Sequence, residues 1–75
     1  MKIFGYTIGG ESTLHELSEL SLKADAAELR RLVQFLEHCA QEIDNDVGQE
    51  RWDHEHIIDF CDNHVGPDVI VVRSA

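Results

Sequence analysis

The sequence predicts an α+β fold in which a small, mainly antiparallel sheet packs on one long amphipathic helix. Three observations support it: strand-favouring residues over 2–8, a capped helical pattern over about 26–43, and an apolar run over 69–72. We expect the sheet to consist of an N-terminal hairpin plus the C-terminal strand. A chain of 75 residues forms a single domain, so the prediction covers residues 1–75.

The N-terminal hairpin is predicted from its first strand and its turn. Residues 2–8 are rich in isoleucine and aromatic side chains, which favour extended backbone. Gly9 and Gly10, followed by Glu11 and Ser12, suit a turn because glycine adopts positive φ without a steric penalty. We place the second strand at about residues 16–23, where leucines alternate with polar residues, although leucines spaced by three also fit a helix.

The long helix is predicted from its cap and its apolar stripe. Asp25 is suited to cap the first turn, and Glu28 three residues later completes a capping-box pattern. The polar segment 44–48 then ends the helix. Apolar residues at helical spacing form the stripe that we expect to face the sheet: Leu29, Leu32, Val33, Leu36, Ala40 and Ile43.

The C-terminal part contains one ambiguous segment and one clear strand. Residues 52–60 fit either a strand or a short helical turn. Residues 69–72 are four consecutive apolar residues, which indicates a strand covered on both faces. One helix covers only one face of a small sheet, so a homodimer partner or a bound protein is expected to cover the other.

Nearly all of the charge imbalance lies in residues 37–68. This segment has ten carboxylates against one base, Arg51, and accounts for the whole net charge of −9. An acidic surface repels nucleic acid and anionic membranes and attracts basic proteins. No apolar run approaches the length of a membrane span and no secretory signal is recognisable, so a cytoplasmic location with reduced Cys39 and Cys61 is expected.

Histidines in the acidic segment are candidate metal ligands. On a strand, His54 and His56 would project from one face, where two imidazoles suit zinc or nickel, and His64 is a candidate third ligand. The favoured interpretation is surface histidines paired with carboxylates, with no metal and no cofactor. A calcium loop over residues 44–55 has its glycine misplaced, and the grouping of Cys61 with His64 lacks an accompanying catalytic motif.

A family resemblance rests on three segments of the chain. Residues 28–36, the run 54–60 (HEHIIDF) and residues 67–72 (PDVIVV) resemble immunity protein family 32 of bacterial polymorphic toxin systems. The most specific part is HEH with the aspartate and phenylalanine that follow. The resemblance implies a small, non-enzymatic protein that binds a toxin and holds it inactive in the cytosol.

These expectations combine into one hypothesis of function. The chain is expected to be no enzyme but to bind a basic protein. A nuclease-like toxin is such a partner, because its active site is positive in order to bind phosphates. A metal-binding module and a homodimeric structural protein are the alternatives. The residues expected to contact the partner are Trp52, Asp53, His54, Glu55, His56, Asp59, Glu42, Asp44 and Asp46.

Overall fold

The computed structural model describes residues 1–10 and 12–74 and confirms the α+β class. The predicted turn residue Glu11 lies outside the described residues. In chain order the elements are β1 (Ile3–Gly5), β2 (His15–Leu17), α1 (Ala26–Asn45), β3 (His54–His56), α2 (Ile57–Phe60) and β4 (Ile70–Val72). None of the helices in the described part of the chain is long and apolar enough to cross a membrane.

The described strands form two separate antiparallel pairs, whereas the sequence pattern predicts one sheet. β1 pairs with β2, placing Ile3 opposite Leu17, and β3 pairs with β4, placing Glu55 opposite Val71. Each strand has only three residues, so β1 and β2 are shorter than the predicted segments 2–8 and 16–23. The sequence pattern identified strand-forming segments, but strand pairing depends on contacts between distant residues that periodicity does not encode.

Helix α1 begins at the predicted residue. The amide of Glu28 donates to Asp25 Oδ1 at 2.8 Å, and the amide of Asp25 donates to Glu28 Oε1 at 3.0 Å, which completes the capping box. The helix extends to Asn45, two residues beyond the predicted end. Asp46 forms the C-terminal cap, and its amide donates to the carbonyls of Glu42 and Ile43.

The core lies between α1 and the β3–α2–β4 unit. Phe35, Cys39 and Ile57 are buried, with exposed fractions of 0%, 2% and 3%. Ile57 begins α2 directly after β3, so segment 52–60 contains both of the structures that the sequence left open. Four partly buried side chains pack around this centre: Leu32, Trp52, Val69 and Val71.

The predicted core-facing stripe of α1 is partly wrong: Leu32 packs against the core and Ile43 is partly buried, but the other members are exposed. Leu29, Val33 and Leu36 are 42%, 64% and 45% exposed, whereas Phe35 and Cys39 face the core. The helix has apolar residues on more than one side, and spacing alone does not say which side meets the sheet. A large part of the apolar surface of α1 therefore remains uncovered in the single chain.

Strand β4 is likewise covered on one face only. Val71 packs against the core, whereas Ile70 and Val72 are 49% and 64% exposed. Side chains alternate between the two faces of a strand, so these two residues share the outer face of the β3–β4 pair. The expectation that α1 covers one face agrees with this arrangement, and in the described chain the second face is open.

Candidate functional site

The HEH segment forms strand β3, whose alternation divides its three side chains between two faces. The residues aligned with His54 and His56 across the pair are Val72 and Ile70, both exposed, whereas Glu55 aligns with Val71 next to the core. The rings of His54 and His56 lie edge to face with centroids 5.4 Å apart. The motif thus presents two histidines on the outer face and one glutamate on the inner face.

On the inner face, Glu55 joins β3 to helix α1 and to the preceding loop. His38 Nε2 lies 2.8 Å and 3.0 Å from the two carboxylate oxygens, and Trp52 Nε1 donates to Oε1 at 3.2 Å. An ionised carboxylate only accepts, so His38 donates through Nε2. The side chains of His38 and Glu55 are 31% and 25% exposed. Glu55 therefore mainly stabilises the fold through hydrogen bonds to other parts of the chain.

Aromatic packing continues from this network into the core. The rings of His38 and Phe60 have centroids 4.9 Å apart, and those of Phe60 and Phe35 are 5.6 Å apart. Phe60, the last residue of the HEHIIDF run, thus connects the histidine that binds Glu55 to the buried Phe35. The motif residues Glu55 and Phe60 thus link β3 and α2 to α1, the first through hydrogen bonds to His38 and the second through ring contacts with His38 and Phe35.

On the outer face, each histidine has a carboxylate on its Nδ1 atom. His54 Nδ1 lies 2.8 Å from Asp53 Oδ2, and His56 Nδ1 lies 2.6 Å from Asp68 Oδ2. The bond to Asp68, with a smaller contribution from Asp59, raises the pKa of His56 above its usual value. The same bond holds the pKa of Asp68 below its usual range. Protonation of His56 is therefore favoured relative to an unpaired histidine.

Asp46 closes the loop after α1 and ties it to the C-terminus. Its carboxylate accepts from the amides of Arg51 and Trp52 and from Arg73 Nη2, the last at 2.6 Å. The hydrogen bond from the backbone amide of Trp52 is the largest cause of the lowered pKa of Asp46, and the charge of Arg73 lowers this pKa further. Only 8% of the Asp46 side chain is exposed, so it is largely withdrawn from the surface.

The residues predicted to bind a partner are thus divided by the structure. Asp53, with 88% of its side chain exposed, and Asp44 and Asp59 lie on the surface. Glu42 is partly buried. Burial raises the pKa of the Cys39 thiol, and the nearby charges of Glu55 and Glu42 raise it further. Those engaged inside the fold are Asp46, Glu55 and Trp52, whose indole N–H already has a partner.

No group of three or more histidine, cysteine, aspartate or glutamate side chains in the described residues is arranged to hold a metal ion. His64 Nε2 lies 2.7 Å from the carbonyl oxygen of Pro67. Of the residues that imitate a calcium loop, Asp46 binds Arg73 and Glu55 binds His38. Cys39 and Cys61 are both free thiols.

Three residues of this site were missed by the sequence analysis: His38, Asp68 and Arg73. Each lies 12 or more residues from its partner, with separations of 17 for His38 and Glu55, 12 for Asp68 and His56, and 27 for Arg73 and Asp46. Local spacing carries no signal for such contacts. The excess of acids over bases indicated only that Arg73, the one base near the C-terminus, would pair with an acid. It did not say which acid.

Comparison with known proteins identifies a matching family. The model of the family described as Immunity protein 32 matches residues 19–74, which is most of the chain and includes α1, β3, α2 and β4. The hairpin formed by β1 and β2 lies outside the match. No curated protein and no solved structure matches.

Proposed function

Since this chain belongs to the immunity protein 32 family, we propose that it neutralises a toxin by binding it. The outer face of the β3–β4 pair is the proposed binding surface, and the chain performs no chemistry. Its action is proposed to take place in the cytoplasm, where the toxin would otherwise reach its target. Inhibition is by occlusion of the toxin's active site.

The observation that carries the choice of surface is the exposure of Ile70 and Val72 between charged groups. These side chains are 49% and 64% exposed and share one face with His54 and His56. Asp53 and Asp59 are exposed close to the two histidines in the chain. An apolar centre with a polar rim is the usual anatomy of a protein interface. We refer to these six residues as the HEH face.

The sign of the charge favours a basic toxin. The acids that remain exposed after the internal pairs are removed include Asp44, Asp53 and Asp59, and the only base in residues 37–68 is Arg51. A toxin that acts on nucleic acid has a positive active site because it must bind phosphates. The nuclease-like class is therefore the proposed partner, and the exposed acids would both steer the encounter and pair with its lysines and arginines.

Co-expression with the toxin domain from the neighbouring gene tests the surface. Val72→Arg places a positive charge on the HEH face and is expected to abolish growth protection against a basic toxin. Ile8→Arg is the matched control, because Ile8 is 100% exposed in the N-terminal segment, outside both the HEH face and the acidic segment 37–68. Equal protection by the two variants, at equal expression levels, would show that the toxin binds elsewhere.

A second pair of variants tests the charge. Asp53→Asn with Asp59→Asn removes two acids from the HEH face, and Glu16→Gln with Glu19→Gln removes two exposed acids from the N-terminal segment. Both pairs change the net charge equally, so a difference between them reports position. Only the first pair is expected to reduce protection, because steering depends on charges close to the interface.

A further inference from the structure

Helix α1 carries a second apolar face that the core does not use. Leu29, Val33 and Leu36 are 42%, 64% and 45% exposed, and Ala26 and Ala40 continue the same row. At about 100° per residue, this row lies roughly 120° around the helix from Phe35 and Cys39. We call these five residues the α1 stripe. It is centred away from Phe35 and Cys39, although its Leu29 edge lines a groove together with the core-packing Leu32.

The spacing of the α1 stripe is that of helix pairing. Its residues alternate at intervals of three and four, which is the a and d pattern of a coiled-coil seam. The seam has leucine and valine over about two helical turns, 29–36, and an alanine one step beyond each end. A long partner helix with the same pattern is the geometry that fits it.

The charges beside the α1 stripe of one copy are complementary to those of a second, antiparallel copy. Arg30 and Glu37 are exposed on the same flank, seven residues apart, and they have opposite signs. When two copies of α1 pack antiparallel about a two-fold axis, Arg30 of one copy lies beside Glu37 of the other, and the pair occurs twice. The N-terminal segment 1–36 is also nearly neutral, with five acids and four bases, so two copies do not strongly repel there.

The exposed area agrees with a second copy as the missing partner. The chain exposes 6510 Å². A folded monomer of its 8.5 kDa mass is expected to expose about 4,650 Å² from the usual scaling of area with mass. The excess over the whole chain, roughly 1,900 Å², leaves room for the ~800 Å² that each partner contributes to a standard interface, and the α1 stripe is one of the exposed apolar surfaces that contribute to it.

We propose that the chain forms a homodimer in which the α1 stripes of two copies pack antiparallel. Val33 lies near the two-fold axis, and two symmetric Arg30–Glu37 pairs fix the register. This interface is distinct from the HEH face and leaves that face free in both copies. The dimer would thereby present two toxin-binding surfaces.

Sedimentation of the full chain with charge-reversal variants tests the proposal. The wild type is expected to be a dimer at micromolar concentration. Arg30→Glu and Glu37→Arg should each raise the dimer Kd by about tenfold, since each variant replaces two attractive pairs with two repulsive ones. The combined variant should return to within about threefold of the wild type. The two single changes shift the net charge in opposite directions, so general repulsion does not explain a loss in both.

A further pair of variants tests the apolar seam. Val33→Glu is expected to give a monomer with unchanged helical circular dichroism, whereas Gln34→Glu, an exposed neighbour outside the stripe, keeps the dimer. A monomeric wild type, or a combined charge variant as weak as the single ones, would overturn the proposal. If the wild type is monomeric and the Val33→Glu variant is unfolded, the stripe is instead covered by the hairpin of the same chain, and the proposal is also overturned. Loss of toxin protection by Val33→Glu in a monomeric protein would assign the stripe to the toxin instead.

Discussion

Replacing Glu55 with glutamine is expected to destabilise the fold, because Glu55 is an internal partner of His38 and Trp52. Hydrogen bonds to charged groups contribute about 1.5–3 kcal/mol. Glutamine retains an oxygen for the indole N–H but loses the charge that faces His38, and the Glu55 side chain is 25% exposed. We therefore expect a loss of about 1 kcal/mol in the free energy of unfolding.

Urea unfolding measures this loss directly. The only tryptophan, Trp52, donates to Glu55, so its fluorescence reports the same region. With a urea m-value of about 1 kcal/mol/M for a small domain, the midpoint should fall by about 1 M. Asp53→Asn is the control, because it makes the same charge change at a side chain that is 88% exposed, and its effect should stay below about 0.5 kcal/mol.

A double-mutant cycle assigns the effect to its partner. In a His38→Ala background, Glu55→Gln should cost clearly less than in the wild type, because the hydrogen-bond partner has already been removed. Equal unfolding midpoints for Glu55→Gln and Asp53→Asn would refute the internal role of Glu55. The glutamate would then belong with the surface acids.

Three further predictions concern the core, the pH dependence and metals. Phe35→Ala should lower the free energy of unfolding by about 3–5 kcal/mol, enough to unfold much of a domain this small, as circular dichroism would show; a smaller loss would mean that the core is centred elsewhere. The raised pKa of His56 stabilises the fold below its ordinary pKa and loses that effect as the pH rises through the folded value, whereas the lowered pKa of Asp68 stabilises above its ordinary pKa and loses that effect as the pH falls. The difference in melting temperature between wild type and Asp68→Asn should therefore be largest between about pH 4 and 6.5, and a difference that is independent of pH would contradict the pairing. Calorimetric titration with zinc or nickel should show only weak binding, because His54 and His56 supply two imidazoles, and tight binding lost in His56→Ala would support a metal site instead.

The start of α1 could be predicted from the sequence because its signals are local. Asp25 and Glu28 are three residues apart and form the capping box that their identities predict. The same holds for the β-branched run that contains β4, whereas the shared face of His54 and His56 was expected only if segment 52–60 formed a strand. In each case the local structure depends on residues that are only a few positions apart in the sequence.

The orientation of α1 could not be predicted, because two apolar stripes compete for the core. Periodicity identified Leu32, which does pack on the core, but it also placed Leu29, Val33 and Leu36 there and missed Phe35 and Cys39. The choice depends on the β3–α2–β4 unit, which lies later in the chain. A stripe that is apolar and uncovered is informative about association even though it misled the prediction of the core.

The roles of the acids also depended on distant contacts. Asp46 and Glu55 look like Asp44 and Asp53 in the sequence, yet the first two have internal partners 27 and 17 residues away. Charge counting gave the sign of the segment but did not separate acids that hold the fold from acids available to a partner. That separation is the main change that the structure makes to the predicted site.

The central proposal is that exposed acids on the HEH face bind a basic toxin. It is tested most directly by the Kd of the purified toxin complex at two ionic strengths. The Kd of the wild type should rise with salt, and the Asp53→Asn, Asp59→Asn variant should bind on the order of tenfold more weakly with a shallower salt dependence. A Kd that is unaffected by both salt and these substitutions would contradict the account.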